Sequence, residues 1–151
     1  MKILQLIDSL RHVVILQWGY WGLRLAMGLT FVISGVRKMP GILFTTLPDT
    51  NPVGAYFKAM HETGFYWHAI GYFQILIGLL VFFNRFVVVS SLLMMPVTVN
   101  IFLISISLHM TGTPVITSMM LLGNMVLILW HHENYISLIR KPIYKIKENK
   151  M

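Results

Sequence analysis

The chain contains no cysteine. Disulfides, thiol relays, cysteine-held iron–sulfur clusters and thiolate zinc sites are thereby excluded, and the redox compartment cannot be read from thiols. Acid is scarce too: five Asp and Glu stand against twelve Lys and Arg. None of the five falls inside a long apolar stretch, so a carboxylate relay for protons across a membrane has no side chains to run on. Charged residues of both signs make up only 11% of the chain, and 56% is hydrophobic. A soluble domain of 151 residues cannot hide that much apolar surface, so the bilayer is the expected solvent. There is no internal repeat, and no GxSxG, P-loop, HExxH or dinucleotide fingerprint.

What is present is basic and apolar. The net charge of +7 does not point to nucleic acid, because the basic residues flank apolar stretches. There they fix orientation and meet anionic headgroups. The eleven methionines read as lipid-facing or gap-filling side chains rather than metal ligands. No metal site is expected.

The periodicity predicts an all-α integral membrane four-helix bundle in a single domain, 1–151. Its spans are expected at about 18–36, 66–83, 86–108 and 114–130, with a basic tail over 131–151. Met1 to Gln17 reads as an amphipathic helix at the interface, its apolar stripe built from Ile3, Leu6, Ile7, Leu10, Val13 and Val14. Asp8 and Arg11 interrupt it, which argues against a cleaved signal peptide. Trp18, Tyr20 and Trp21 mark the first interface. In the connection that follows, Asp49-Thr50-Asn51-Pro52 offers a helix cap followed by proline. Val53, Tyr56, Phe57 and Met60 then share one face before Gly64. A short helix is expected there, resting on the outer surface or dipping into the bundle mouth. Gly28 and Gly35 lie seven apart, as do Gly71 and Gly78, which permits close helix approach. Asn84-Arg85 is read as a very short turn. Pro96 should kink the third span and free carbonyls for a neighbour. Eight Lys and Arg fall on the side of the termini and three (Arg37, Lys38, Lys58) on the other, so both termini are expected in the cytoplasm.

Each span carries one strongly polar residue toward mid-membrane: Arg24, Gln74, Asn100 and Asn124. Groups of this kind lack water there and must find each other, backbone or a polar ligand. Thr98 and Ser34 can join them. Three readings stay open. In the first the residues only glue helices together as a structural or assembly subunit, in the second they form a pocket for a polar-headed ligand such as a quinone, and in the third they line a path for a small solute. Arg, Asn and Gln suit a quinone because its carbonyls need hydrogen-bond donors. His61, His68 and His109 fall near the outer mouth, where two could ligate haem or a metal. Interfacial histidines bonded to headgroups and water are the commoner case. His131 and His132 beside Trp130 read as an inner interface marker.

The first span, LRLAMGLTFVISGVRK, resembles the DoxX-like family of small bacterial membrane proteins through Arg24, Gly28, Phe31, Gly35 and Lys38. The segment IGYFQILIGLL is similar to that family's second helix. The resemblance covers roughly Gly22 to Trp130. It implies a four-helix protein of the bacterial cytoplasmic membrane. Some relatives are membrane subunits of quinone-linked oxidation, including thiosulfate:quinone oxidoreductases, or belong to oxidative-stress complexes. Lipid, a quinone and protein partners of a membrane complex are the implied contacts. Many relatives carry Glu where Gln74 stands, and Gln cannot take or release a proton.

Overall fold

The computed structural model describes residues 13–132. Among these the chain forms five helices and no strand: α1 Val14–Val36, α2 Pro52–Glu62, α3 Phe65–Leu80, α4 Val87–Ser107 and α5 Thr113–Trp130. α1 packs chiefly along α3, and α4 along α5. Contacts of α3 with α4 and of α1 with α5 join the two pairs, and α2 leans on α3.

The α1–α3 crossing is set by the two glycine pairs. A Cβ on Gly28 would lie 3.0 Å from the Gly78 carbonyl oxygen, and one on Gly35 would lie 2.6 Å from that of Gly71. The backbones therefore meet directly at two levels one heptad apart. At the far end of α1, Tyr20 stacks on Trp130 of α5 with centroids 4.8 Å apart, and its hydroxyl meets His131 Nε2 at 2.8 Å.

α4 and α5 are polar inside and apolar outside. Ser90, Ser91, Thr98, Ser105, Thr117 and Asn124 are buried, whereas Leu92, Leu103, Ile106, Ile116, Met119 and Leu122 are exposed. Water would favour the reverse; lipid favours this arrangement, since buried hydroxyls and amides link helices that acyl chains cannot satisfy. Ser90 Oγ donates to the Ile77 carbonyl of α3 at 2.6 Å, and the Ser105 and Thr117 hydroxyls meet at 3.0 Å. By length and composition α4 and α5 can each cross a membrane; α3 is apolar but shorter.

Three sequence expectations are corrected. Val14 to Gln17 belong to α1 and not to a separate amphipathic helix, because no proline or turn residue interrupts the chain before Trp18. The rest of that expected helix and most of the basic tail lie outside the described residues. α3 ends at Leu80, not Phe83. The backbone tightens there, with Phe82 N–H donating to Leu79 and Phe83 N–H to Leu80, and the Val81 carbonyl turns to Arg24. The α3–α4 turn thus runs from Val81 to Phe86 and is not confined to Asn84-Arg85. The short helix is where the sequence puts it: Asn51 Oδ1 accepts the Val53 N–H at 2.9 Å, with proline in the first turn. Gly64 follows it at φ 61°, a conformation that carries the chain straight into α3.

Candidate functional site

The four polar residues singled out in the sequence do not share one site. Arg24, only 2% exposed, donates through Nε to the Val81 carbonyl and through Nη1 to Asn84 Oδ1 at 2.6 Å. Its guanidinium lies 4.4 Å from the Trp21 ring. It therefore caps the C-terminal end of α3, where unsatisfied carbonyls concentrate partial negative charge.

Asn124 is fully buried between α5 and α4. In the amide orientation that satisfies both its ends, its nitrogen donates to the Ser91 carbonyl at 3.1 Å and its oxygen accepts the Met95 N–H at 3.0 Å. It thus stitches the α4 backbone in the turn before Pro96, at the Ser91 carbonyl and Met95 N–H rather than at the Leu92 carbonyl that the proline frees. Thr98 bonds within its own helix, to the Met94 carbonyl. Replacing Asn124 by Leu should cost about 1–2 kcal/mol in an unfolding titration, near the upper range for interhelical hydrogen bonds in membranes. It should leave ligand binding elsewhere unchanged.

Gln74, buried, and Asn100, exposed on α4, both line a cavity of about 540 Å³ at the end of the helices beneath α2. Ser34 and Lys38 enter it from the end of α1. Phe44 comes from the loop, Tyr56, Phe57 and Met60 from α2, and Tyr66, Trp67 and Ile70 from α3. Pro96, Val97, Ile101, Ile104 and Ser105 of α4 form the far wall, and Met110 and Thr113 complete it. The short helix between the first two spans is thus the roof of the cavity. Its Phe57 stacks with Phe44 at 4.3 Å, and Phe44 meets Trp67 edge-on at 5.5 Å.

The residue that sequence reasoning missed is Lys38. Its position beside Arg37 just past a helix end predicts a surface charge at the interface. Arg37 is indeed exposed, whereas Lys38 is only 5% exposed. Its Nζ donates to the Ser34 carbonyl and to Ser34 Oγ, both at 3.0 Å. It sits 4.7 Å from the Phe44 ring and 5.1 Å from the Trp67 ring. Ser34 Oγ also reaches Gln74 Oε1 at 3.5 Å. The backbone of Lys38 is pinned as well, since its carbonyl accepts from His68 Nδ1 at 2.6 Å. Burial pushes the amine down to about 8 from its ordinary 10.5, because the ammonium loses water at the cavity wall. The signal in the sequence was the Ser34–Lys38 spacing of four, which folds the amine back over the last turn of α1.

Trp67 completes the polar end. Its indole N–H is buried and has no acceptor among the described residues. His61 and His68 lie with ring centroids 6.0 Å apart; among the described residues no three His, Cys, Asp or Glu side chains group to hold a metal. Asp49 pairs with Lys58 on the exposed surface.

Among the described residues the chain is all-helical, two of its helices, α4 and α5, are long and apolar enough to cross a bilayer, and these two turn polar groups inward and lipid-type side chains outward, as in a membrane protein. A family model described as DoxX matches residues 19–109, and the chain belongs to that family. The match takes in Arg24, Lys38, Gln74 and Asn100 and ends before Asn124. No curated protein and no solved structure matches the chain.

Proposed function

We propose that this DoxX-family protein is a redox-associated subunit that seats the head group of a lipid-soluble quinone in the cavity beneath α2. The observation that carries this reading is the composition of the cavity wall. Aromatic and aliphatic side chains form most of it, and hydrogen-bond donors are set among them: the Lys38 ammonium, the Gln74 and Asn100 amides and the orphaned Trp67 N–H, with the Ser34 hydroxyl between Lys38 and Gln74. A flat ring bearing carbonyl oxygens needs apolar faces and a few fixed donors, and small-ligand pockets of roughly 300–1,000 Å³ are built this way. A bound quinone would supply two-electron, two-proton redox chemistry. The residues present bind and orient it: Gln74 and Asn100 aim donors at carbonyl oxygens, and Tyr56, Phe57 and Trp67 enclose the ring and exclude water. Electrons would come from a partner protein or a bound substrate.

The same reading has four helices crossing the bacterial cytoplasmic membrane, with both termini in the cytoplasm and the cavity at the outer end. It is supported by the excess of Lys and Arg on the terminal side. α3 would be recessed, since its 16 residues span only about 24 Å.

A second reading, a structural or assembly subunit without chemistry, is favoured by Arg24 and Asn124, both of which bond other parts of the protein, although Arg24 Nη2 is buried without an acceptor among the described residues. One measurement separates the two. Purified protein in detergent is heated with 2-methoxy-1,4-naphthoquinone and with a ubiquinone analogue. The quinone reading expects a rise in Tm and quenching of tryptophan emission from Trp67. It also expects both signals to shrink in Asn100→Leu. No shift with either compound leaves the structural reading standing.

A further inference from the structure

Among the described residues, the donors around this cavity are not matched by any acceptor of opposite charge: Lys38 is the one cationic residue on the wall, and no Asp or Glu lines it. The two acidic side chains nearest in sequence are engaged or turned outward: Asp49 is held by Lys58, and Glu62 is exposed at the end of α2. An ammonium has three N–H donors. Two go to Ser34, and the third has no acceptor among the described residues. The faces of Phe44 and Trp67 favour a cation there, but a ring quadrupole carries no net charge.

We infer that Lys38 makes the cavity selective for a quinone that carries an ionised hydroxyl, with the anionic oxygen seated against the free face of the ammonium. This rests on the quinone reading above and adds to it the charge state of the ligand. A neutral quinone satisfies Gln74, Asn100 and Trp67 but leaves the cation uncompensated. An ionised hydroxyquinone satisfies all of them, and the paired charges also share the loss of water. A lipid carboxylate would meet Lys38 equally well, yet it has no ring for the aromatic walls.

The proposal fixes the sign of a pH dependence. Below about 8 the amine is protonated and attracts the anion; above it the free base does not. A bound anion raises that value, so selectivity fades somewhat above 8 as pH rises. The other titratable groups facing Lys38 are Tyr56 from α2 and Tyr66 and His68 from α3; α4 and α5 present only neutral Asn100, Ser105 and Thr113. Burial and the neighbouring Tyr66 push Tyr56 above its ordinary 10, so it is neutral at the lower pH of the test.

The test compares 2-hydroxy-1,4-naphthoquinone with its O-methylated form on the full chain in detergent. Affinities are read from tryptophan quenching at about pH 7 and about pH 10, either side of the amine's titration. The wild type should prefer the ionised compound by roughly tenfold at the lower pH, about one pKa unit's worth of interaction, and lose the preference at the higher. Lys38→Met should lack it at both. Lys38→Arg, whose cation does not titrate, should keep it at both, which assigns the pH effect to position 38. Equal affinity for the two compounds in the wild type, or a preference that survives Lys38→Met, overturns the inference while the quinone reading stands. Binding of neither compound overturns the quinone reading itself, and laurate binding where both naphthoquinones fail reassigns the cavity to a lipid acid.

Discussion

Arg24→Ala is expected to lower the unfolding free energy by about 2–4 kcal/mol while leaving any quinone-induced rise in Tm intact. The magnitude follows from two opposed terms. Hydrogen bonds from a charged donor are worth roughly 1.5–3 kcal/mol each, and Arg24 makes two, to Val81 and Asn84. Its removal also leaves a buried helix-end carbonyl without a donor and opens space beside Trp21. Against this, a cation held at membrane depth costs about 2.5–3.5 kcal/mol, which the alanine variant no longer bears. The bonding and packing terms win because two charge-assisted hydrogen bonds are lost and the vacated Val81 carbonyl adds about 1–3 kcal/mol as a buried acceptor without a donor. Arg24→Met, which keeps most of the packing, should fall about midway. An SDS unfolding titration measures both. The second readout decides the role: a variant that unfolds normally but no longer responds to quinone would return Arg24 to the ligand site.

That outcome bears on what the sequence could say. Of the four polar residues at mid-helix, Arg24, Gln74 and Asn124 are among the most deeply buried side chains, and Asn100 is exposed. Depth along a helix, however, says nothing about azimuth. Arg24 and Gln74 lie on helices that touch, yet one reaches down to the Val81 carbonyl and the other faces Ser34. Seeing this requires knowing that α3 stops early, and nothing in the run Leu80-Val81-Phe82-Phe83 signals a stop. The stop comes from Arg24 itself, a contact between residues 57 apart in the chain. Lys38 was hidden for a related reason. A lysine next to an arginine just past a helix end is the ordinary sign of an interface anchor. Only the loop that folds Phe44 over the amine, and the register that brings Trp67 beside it, turn one of the pair inward.

Local signals fared better. The Asn51-Pro52 start of α2 is written in cap chemistry that acts over two residues. The helical periods of α4 and α5 are carried by apolar runs that need no partner to be recognised. The deficit of acid near the amine was visible as composition, but its consequence, a cation facing a cavity with no counter-charge, appeared only once the fold had gathered the wall.

The second large effect is expected at the glycine crossing. Gly35→Val should destabilise by about 3 kcal/mol, at the upper end of what overpacking a tight contact costs. A Cβ at Gly35 meets the Gly71 carbonyl oxygen at 2.6 Å and the Ile75 backbone nitrogen at 3.0 Å. Neither can swing aside as a side-chain tip would, so α1 and α3 must move apart along their length. Gly28 is more forgiving, because its nearest neighbours are the side chains of Phe82 and Val81. Gly22 sits in the same helix with nothing within 4 Å of its missing Cβ. There alanine brings only the gain in helix propensity, about 0.5–1 kcal/mol of stabilisation. Gly35→Ala pits that same gain against the clash with Gly71, and the clash should prevail by about 1–2 kcal/mol. The two alanine variants are therefore expected to shift the SDS midpoint in opposite directions from the wild type. A shared direction would mean that α1 and α3 do not meet backbone to backbone. Widening the crossing at Gly35 also moves Ser34 and Lys38 away from Gln74 and Trp67, so Gly35→Ala should weaken quinone binding where Gly22→Ala does not.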